Sequence, residues 1–330
     1  MRQNLRLLMS QHALDATAAE RAAFDAEHAS SHTLEWVSIE AALAAQRRDL
    51  DAAFISREVT GASTKHEIHP ELQAVYDLLL ANQGLRWVHI HSAGADRAVY
   101  VALKARGVQI STSSGANAPV VAASALAGML ALARRLPLLW REQQARAWIP
   151  LMGPGRMPRD LPGQTVCVIG WGPIGQQLAR LVKALDMRVI AVRTQARPDE
   201  DGVRMVGFAQ LHEALAQSDW LVLACPLTAQ TQQLIGAREL RAMPAGAHLI
   251  NVARGECVRQ DELCEVLQSG HLGGAYLDVF AHEPLPQDSP LWSMPQVLVT
   301  PHAAGHSDGN EGRVQAMFWQ GLRRWLQGGA

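Results

Sequence analysis

The sequence lacks an excess of charge of either sign, because 30 lysines and arginines stand against 31 aspartates and glutamates in 330 residues. A chain without a basic excess has little with which to neutralise a phosphate backbone, which argues against a nucleic-acid-binding function. Charged residues are also few, 18% against 48% hydrophobic, and this balance is typical of a folded globular chain rather than a disordered one. The length predicts about two domains.

Cysteines and long apolar runs are scarce as well. The four cysteines form no C-x-x-C pair, which predicts reduced thiols in a cytoplasmic protein. They are Cys167, Cys225, Cys257 and Cys264. The N-terminus has no signal-peptide pattern. The candidate membrane span, Ala118–Ala133, is shorter than the ~20 residues that a spanning helix needs, so we expect a buried helix and no membrane partner.

Short runs rich in Val, Ile and Leu alternate with longer segments of helical period almost from end to end. This pattern is typical of parallel βα units and predicts an α/β fold. In the first third, the predicted strands are 5–10, 34–39, 52–56, 85–92 and 108–112, and the predicted helices are 16–28, 40–48, 70–81 and 97–106.

A second alternation begins at Gln164, after a predicted linker over 111–119 and an Ala-rich helix. Its predicted strands are 165–170, 188–192, 220–225, 248–253, 275–280 and 297–300. Six strands in βα order predict a doubly wound domain. The last segment, 309–327, is predicted to be a helix that packs back on the first domain.

A glycine-rich turn stands between the first strand and helix of this second alternation. Gly170 permits the tight turn, Gly172 lets the backbone approach a pyrophosphate, and Gly175 lets the helix pack closely on the strand. Pro173 and Ile174 complete the turn, and the helix N-terminus favours the anion. An ordinary glycine-rich turn is the alternative, but strand, helix and next strand all stand where a dinucleotide motif requires them.

The residue after the second strand of such a motif selects the cofactor. NAD-binding sites place Asp or Glu there, whereas this sequence has Arg193, which suits a 2′-phosphate. Thr194 and Arg197 would add further contacts, so the sequence predicts NADPH in preference to NADH. The alternative is that Arg193 is a solvated loop charge and that Asp199 or Glu200 reaches the ribose.

Three polar residues follow apolar strands of this domain: Arg254, Glu283 and His302. We expect them to converge, because ligands of open α/β sheets bind at the carboxyl ends of the strands. An arginine grips a carboxylate and polarises an adjacent carbonyl, a histidine transfers a proton, and a carboxylate beside the histidine orients the ring and favours its charged form. Together they predict carbonyl chemistry, although each residue alone also fits an ordinary surface or core role.

A metal site is the rival grouping of the same region. Its candidate ligands would be His282, Glu283, His302 and His306. Only the last two histidines have short, regular spacing, so we expect no metal.

The sequence resembles the D-isomer-specific 2-hydroxyacid dehydrogenases. The matching stretches are SAGAD (92–96), NAPVVAASALAGMLALARR (117–135), VIGWGPIG (168–175), PLTAQT (226–231), LINVARGE (249–256), YLDVFAHEPLP (276–286) and TPHAAG (300–305). The resemblance implies a Rossmann NAD(P)-binding domain at 114–302 inserted in a smaller flavodoxin-like substrate domain, 1–113 and 303–330. It also implies the roles deduced above for the Arg, Glu and His residues.

Further site residues follow from the resemblance, position by position. Ala93, Gly94 and Ala95 would hold the substrate carboxylate with their backbone, although Gly94 also fits an ordinary strand-to-helix turn. Asp278 would contact the nicotinamide amide, although it also fits a buried acid satisfied by backbone groups. The remaining residues of the predicted cofactor cleft are Pro226, Thr231 and Ala253.

The chain departs from the family at two places. Ala123 and Ser124 stand where many members have Glu-His, and the Arg193-Thr194 pair resembles the NADPH-using glyoxylate/hydroxypyruvate reductase branch. The sequence therefore predicts an NADPH-dependent reductase of a small 2-oxoacid such as glyoxylate or hydroxypyruvate. The alternatives are an NAD-dependent dehydrogenase of a larger or phosphorylated hydroxyacid, and a non-catalytic NAD(P)-sensing interaction protein like the C-terminal-binding-protein corepressors.

The segment 136–155 predicts a dimer contact. Trp140 and Trp148 stand beside Arg141 and Arg146 there, a mixture that suits an interface, and the resemblance implies a homodimer. The alternative is that these aromatic side chains fold onto their own domain.

Overall fold

The computed structural model describes residues 2–63, 67–153 and 155–328. The chain divides into two compact units, one formed by 1–116 with 308–330 and the other by 117–307. The sequence had suggested that residues 303–307 belong to the first unit, but they belong to the second. The reason is that Ala304 is buried in the second unit's core. Both units contain a parallel sheet with helices, which confirms the α/β prediction.

The first unit is built on a parallel sheet whose strand order is β2-β1-β3-β4-β5. Its described strands are β1 (Gln3–Met9), β2 (His32–Ser38), β3 (Ala52–Ile55), β4 (Trp87–Ile90) and β5 (Gln109–Thr112). Its described helices are α1 (Gln11–Ala16), α2 (Ala18–His28), α3 (Ile39–Ala44), α4 (Arg57–Thr60), α5 (Pro70–Ala81) and α6 (Ala98–Ala105), followed at the C-terminus by the helix over Asn310–Leu326.

The second unit contains a longer parallel sheet, in the order β12-β11-β10-β9-β6-β7-β8. Its described strands are β6 (Thr165–Ile169), β7 (Arg188–Arg193), β8 (Arg204–Gly207), β9 (Trp220–Leu223), β10 (His248–Asn251), β11 (Gly274–Leu277) and β12 (Val297–Val299). Its described helices are α7 (Ala118–Ala133), α8 (Leu136–Gln144), α9 (Pro173–Lys183), α10 (Leu211–Ala216), α11 (Ala237–Arg241) and α12 (Gln260–Gln268), and the C-terminal helix is therefore α13.

Several elements differ from the sequence prediction, among them α1, α4 and β8. The helix predicted over 16–28 begins at Ala18, and a separate helix that was not predicted, α1, precedes it. Ser10 caps α1 by accepting a hydrogen bond from the Ala13 N–H at 3.0 Å. Strand β8 was not predicted, since only Met205 and Val206 of its four residues are apolar. It pairs with β7 at the edge of the sheet, so the described sheet has a seventh strand beyond the predicted six.

Helix α13 packs on the sheet of the first unit, as predicted. Its Phe318 stacks on Phe54 with ring centroids 4.5 Å apart, and Leu322 is fully buried in the same cluster as Trp87. Burying aromatic side chains of this size contributes about 2 to 3 kcal/mol each. The C-terminal segment therefore holds the first unit together although it is far away in sequence.

Helix α7 is mostly buried in the second unit, as predicted. Gly128 lets it approach strand β11 closely, since a Cβ there would lie 2.3 Å from the Tyr276 ring. In the described part of the chain, no single helix is long and apolar enough to cross a membrane. Helices α7 and α8 reach that length and apolar character only when taken together, and the pair is bent by 67°.

Candidate active site

The glycine-rich turn joins β6 to α9. Gly170 has a φ of +105°, and a Cβ there would lie 2.6 Å from the carbonyl oxygen of Ala224. A Cβ on Gly175 would lie 2.1 Å from the oxygen of Gly170. Close backbone contacts within the protein therefore require glycine at both positions. Gly172, the N-cap of α9, differs, because nothing lies within 4 Å of a Cβ placed there. The open space before the helix N-terminus fits a dinucleotide pyrophosphate.

Pro173 and Ile174 begin α9, and the proline stands where the helix needs no N–H donor. The N–H of Gln176 bonds to the Gly172 carbonyl, and the first helix turn carries no acidic side chain. The N–H groups before Gln176 have no partner within the helix, as at every helix start.

Arg193 is the last residue of β7, beside Gly207 of β8. Its Nε is buried and has no hydrogen-bond partner, which leaves a charged donor for an anion. Thr194 and Arg197 follow it on the exposed loop. The carboxylate of Asp199, one of the alternative ribose contacts, instead accepts a hydrogen bond from the Met205 N–H of β8 at 3.0 Å.

His302 and Glu283 are brought together by the carboxyl ends of β12 and β11. His302 Nδ1 lies 2.8 Å from Glu283 Oε2, and Glu283 Oε1 accepts a hydrogen bond from the Phe280 N–H at 3.0 Å. The glutamate side chain is 15% exposed and the histidine side chain 51%. The carboxylate is thus fixed on the protein side while the imidazole stays open to a reactant.

The pKa of Glu283 is lowered from its usual value. Burial opposes ionisation, but the hydrogen bond and positive charge of His302 outweigh it, with help from the Phe280 N–H and the charge of Arg254. The carboxylate therefore stays ionised and accepts a hydrogen bond from the imidazole.

Arg254 is held near this pair by the loop after β10. The Asn251 side chain accepts from the Ala253 N–H and donates to the Arg254 carbonyl, both at 3.1 Å, and Arg254 Nη1 donates to the Ala253 carbonyl at 2.8 Å. A Cβ on Gly255 would lie 1.7 Å from the carbonyl carbon of Phe280. Only glycine lets the arginine loop pack this closely on the segment that leads to Glu283.

Asp278 is a buried acid whose carboxylate is bonded to the chain segment around His302. Its Oδ1 accepts from the Thr300 hydroxyl at 2.5 Å and from the Ala303 N–H at 2.8 Å, and its Oδ2 accepts from the Ala304 N–H at 3.0 Å. These contacts match the alternative of a buried, satisfied acid. The contact with the nicotinamide amide stays a prediction.

The remaining predicted residues lie in loops of each unit. Thr231 donates to the Pro226 carbonyl at 2.7 Å and so closes the loop after β9. Ala253 is buried beside the arginine. In the first unit, the Ser92 hydroxyl donates to the Gly94 carbonyl at 2.8 Å, within the turn that also contains Ala93 and Ala95.

Four residues around the site were not singled out by sequence reasoning: Asn251, Gly255, Tyr276 and Thr300. The signal available was a polar residue or glycine at the end of an apolar strand, which also occurs in many structural turns. Ser124, noted as a departure from the family, donates to the Ala304 carbonyl at 2.9 Å and ties α7 to the segment after His302. The described residues hold no group of three or more His, Cys, Asp or Glu side chains that would bind a metal ion.

Residues 126–304, more than half of the chain, match the family described as D-isomer specific 2-hydroxyacid dehydrogenase, NAD binding domain. The chain belongs to this family. This 2-hydroxyacid dehydrogenase is therefore an NAD(P)-dependent oxidoreductase, and its second unit carries the Rossmann-type sheet. It is 34% identical over 248 residues to the glyoxylate reductase of Korarchaeum cryptofilum, a match that covers 74% of each chain.

The chain is also similar to solved structures, over 65% to 99% of its length in two of them. The glyoxylate reductase from Paecilomyes thermophila has a TM-score of 0.75 and 25% identity, over 99% of this chain and 96% of that one. A D-isomer specific 2-hydroxyacid dehydrogenase from Xanthobacter autotrophicus Py2, solved with NADPH and MES, has a TM-score of 0.59 and 33% identity, over 65% of this chain and 86% of that one.

Proposed function

We propose that this dehydrogenase reduces a small 2-oxoacid of the glyoxylate or hydroxypyruvate type to the D-2-hydroxyacid, with NADPH as the preferred reductant. The observation that carries the proposal is the 2.8 Å contact of His302 with Glu283 near the charge of Arg254. A proton donor with an arginine beside it is the set that reduction of a 2-oxoacid needs. The similar glyoxylate reductases support this substrate class.

The residues have separate roles in this reaction. Bound nicotinamide supplies the hydride for the substrate C2. Arg254 binds the substrate carboxylate and polarises the carbonyl oxygen, and protonated His302 gives its Nε2 proton to that oxygen as the alkoxide forms. Glu283 accepts the Nδ1–H, which fixes the ring orientation and stabilises its charge. The backbone of Ala93, Gly94 and Ala95 is proposed as a further carboxylate-binding segment.

The cofactor would be held by the second unit. Gly170, Gly172 and Gly175, with Pro173 and Ile174, form the proposed pyrophosphate site, because the space around Gly172 is open. Pro226, Thr231, Ala253 and Asp278 are proposed to complete the cofactor site near His302.

The proposed preference for NADPH is based on the residues at the carboxyl end of β7. Arg193 has a buried Nε without a partner, and an arginine there favours the 2′-phosphate. Thr194 and Arg197 would add contacts from the exposed loop. The Xanthobacter relative solved with NADPH supports this preference.

The enzyme is further proposed to be a cytoplasmic homodimer. Its four cysteines are free thiols, which suits a reducing compartment. Trp148 is 96% exposed, which supports a role at an interface, and Trp140 is 52% exposed. A contiguous exposed apolar segment favours an interface with a second copy.

The test of the proposed function is a rate comparison at one fixed pH. Purified protein is mixed with NADPH and with glyoxylate, hydroxypyruvate, 3-phosphohydroxypyruvate or bulkier 2-oxoacids, and cofactor oxidation is followed. Faster turnover of the two small oxoacids supports the proposal. A clear preference for a phosphorylated or bulky oxoacid overturns the substrate class, and cofactor binding without any turnover favours a sensor.

A further inference from the structure

Thr300 lies between two buried side chains behind the proposed proton donor. Its Oγ1 is 2.5 Å from Asp278 Oδ1 and 3.1 Å from the Tyr276 hydroxyl. A threonine has one hydroxyl proton, and the carboxylate, which accepts from backbone N–H groups, takes it. The Tyr276 hydroxyl is the second hydrogen-bond partner of the same Thr300 hydroxyl. The three side chains form a hydrogen-bonded chain that ends on the Asp278 carboxylate.

Tyr276 is a fixed starting point for this chain. Its side chain is 5% exposed, and its ring packs against Gly128 of α7 so closely that a Cβ there would clash. Burial raises the pKa of Tyr276, so its hydroxyl stays protonated at neutral pH.

The other end of the chain holds the turn that contains His302. The Asp278 carboxylate accepts from the N–H groups of Ala303 and Ala304, and the Asp278 carbonyl accepts from the His302 N–H at 2.8 Å. Asp278 is 2% exposed, so water does not compete for these bonds. One buried residue therefore fixes the backbone of three consecutive positions.

His302 needs this support because its backbone conformation is unusual. Its φ is +52°, in the left-handed region that residues other than glycine seldom adopt. Such a conformation is energetically unfavourable for a residue with a side chain, and it persists where surrounding bonds determine it. A relaxed turn would move the imidazole away from Glu283 Oε2, now 2.8 Å from Nδ1.

We propose that Thr300, backed by Tyr276, is a positioning residue for His302. Its hydroxyl fixes the Asp278 carboxylate, the carboxylate fixes the left-handed turn, and the turn directs the imidazole to Glu283. This inference rests on the proposed function, in which His302 transfers the proton, and it adds residues that do not touch the reactants.

The test compares Thr300→Val, which keeps the shape without the hydroxyl, with Thr300→Ser, which keeps the hydroxyl. The matched control is Ser218→Ala, which removes another buried hydroxyl, one bonded to the Ala214 carbonyl at the opposite, amino edge of the sheet. Hydrogen exchange of the Ala303 and Ala304 amides is measured first, because it does not depend on catalysis. Steady-state rates, their pH profile and NADPH affinity are measured on the same proteins.

In T300V we expect amide exchange at Ala303 and Ala304 to rise about tenfold, and kcat to fall about tenfold with an altered pH profile. KM for the oxoacid should stay within about twofold, because no substrate-binding group is removed. T300S should restore exchange and kcat, and S218A should change neither, whatever its effect on thermal stability.

Unchanged exchange and kcat in T300V, or a T300S protein as impaired as T300V, would overturn the role of Thr300. If T300V does not fold, Tyr276→Phe tests the same hydrogen-bonded chain. We expect Y276F to raise amide exchange at Ala303 and Ala304 and to lower kcat, both by less than in T300V. Normal amide exchange in Y276F would contradict the proposal. Should the wild-type protein turn over no 2-oxoacid, the proposed function fails, while the exchange comparison still decides whether Thr300 fixes the turn.

Discussion

Nδ1 of His302 lies 2.8 Å from Oε2 of Glu283, a carboxylate whose pKa is lowered partly by that same bond. An ionised carboxylate only accepts hydrogen bonds, so the proton in this contact belongs to the ring. The remaining ring nitrogen, Nε2, is then the one that exchanges a proton with a reactant. The glycine-rich turn follows β6 of the same sheet, with three strands between β6 and β12.

Gly172→Ala and Gly170→Ala should separate binding from folding. The first substitution places a Cβ in open space, so we expect normal stability but weakened NADPH binding, because the methyl group occupies the proposed pyrophosphate approach. The second forces alanine to a φ of +105° against the Ala224 carbonyl and should lower the free energy of unfolding by roughly 1 kcal/mol or more. Urea unfolding and cofactor titration measure the two effects; the reverse order of effects would contradict the account.

Arg193→Ala should lower kcat/KM for NADPH by about 10 to 100-fold, because a charge-assisted contact to the 2′-phosphate is worth about 1.5 to 3 kcal/mol. The value for NADH should change less than about threefold, since NADH has no such phosphate. Arg188→Ala is the matched control, because it removes an arginine from the opposite end of the same strand. Equal losses with both cofactors would show that Arg193 does not read the 2′-phosphate.

Glu283→Gln should change how stability depends on pH. Since the folded-state pKa of Glu283 is lowered from 4.5, its ionised form stabilises the fold above that pH, and the contribution is lost as pH falls through the lowered pKa. We expect wild type to exceed E283Q in free energy of unfolding at pH 7, with the gap closing below pH 4.5. Glu213→Gln, at an exposed ion pair with Arg204, is the control and should show little gap. A gap for E283Q that does not vary with pH contradicts the assignment.

Trp148→Ser should dissociate the proposed homodimer, because a side chain that is 96% exposed in one chain is available to an interface. Light scattering after gel filtration measures the molar mass of the wild type and the variant. Trp292→Ser, at a 55% exposed tryptophan outside the 136–155 segment, should leave the mass unchanged. A monomeric wild type would disprove the dimer.

The order of elements was predictable because the sheets consist of short, continuous apolar runs, such as Thr165–Ile169 and Trp220–Leu223, that are buried along their whole length. Helix α5 has the predicted bounds, Pro70–Ala81, because the proline marks its first turn. Strand β8 was missed, since an edge strand of four residues with two polar or glycine ends has no distinctive pattern.

Within the candidate site, the sequence indicated which polar side chains end strands, and His302 and Glu283 do meet. It did not indicate how the turn at His302 is held. Asp278 and Thr300 are separated by 22 positions, and their contact depends on the parallel register of β11 with β12. The close approach of Gly255 to Phe280 depends on two loops that no local pattern relates.

The most direct test of the central claim compares wild type with His302→Ala in the reduction of glyoxylate by NADPH. If His302 is the proton donor, kcat should fall by about 100 to 10,000-fold while NADPH affinity, followed by fluorescence titration, stays within about twofold. Undiminished turnover in H302A would contradict the account and remove His302 from the mechanism.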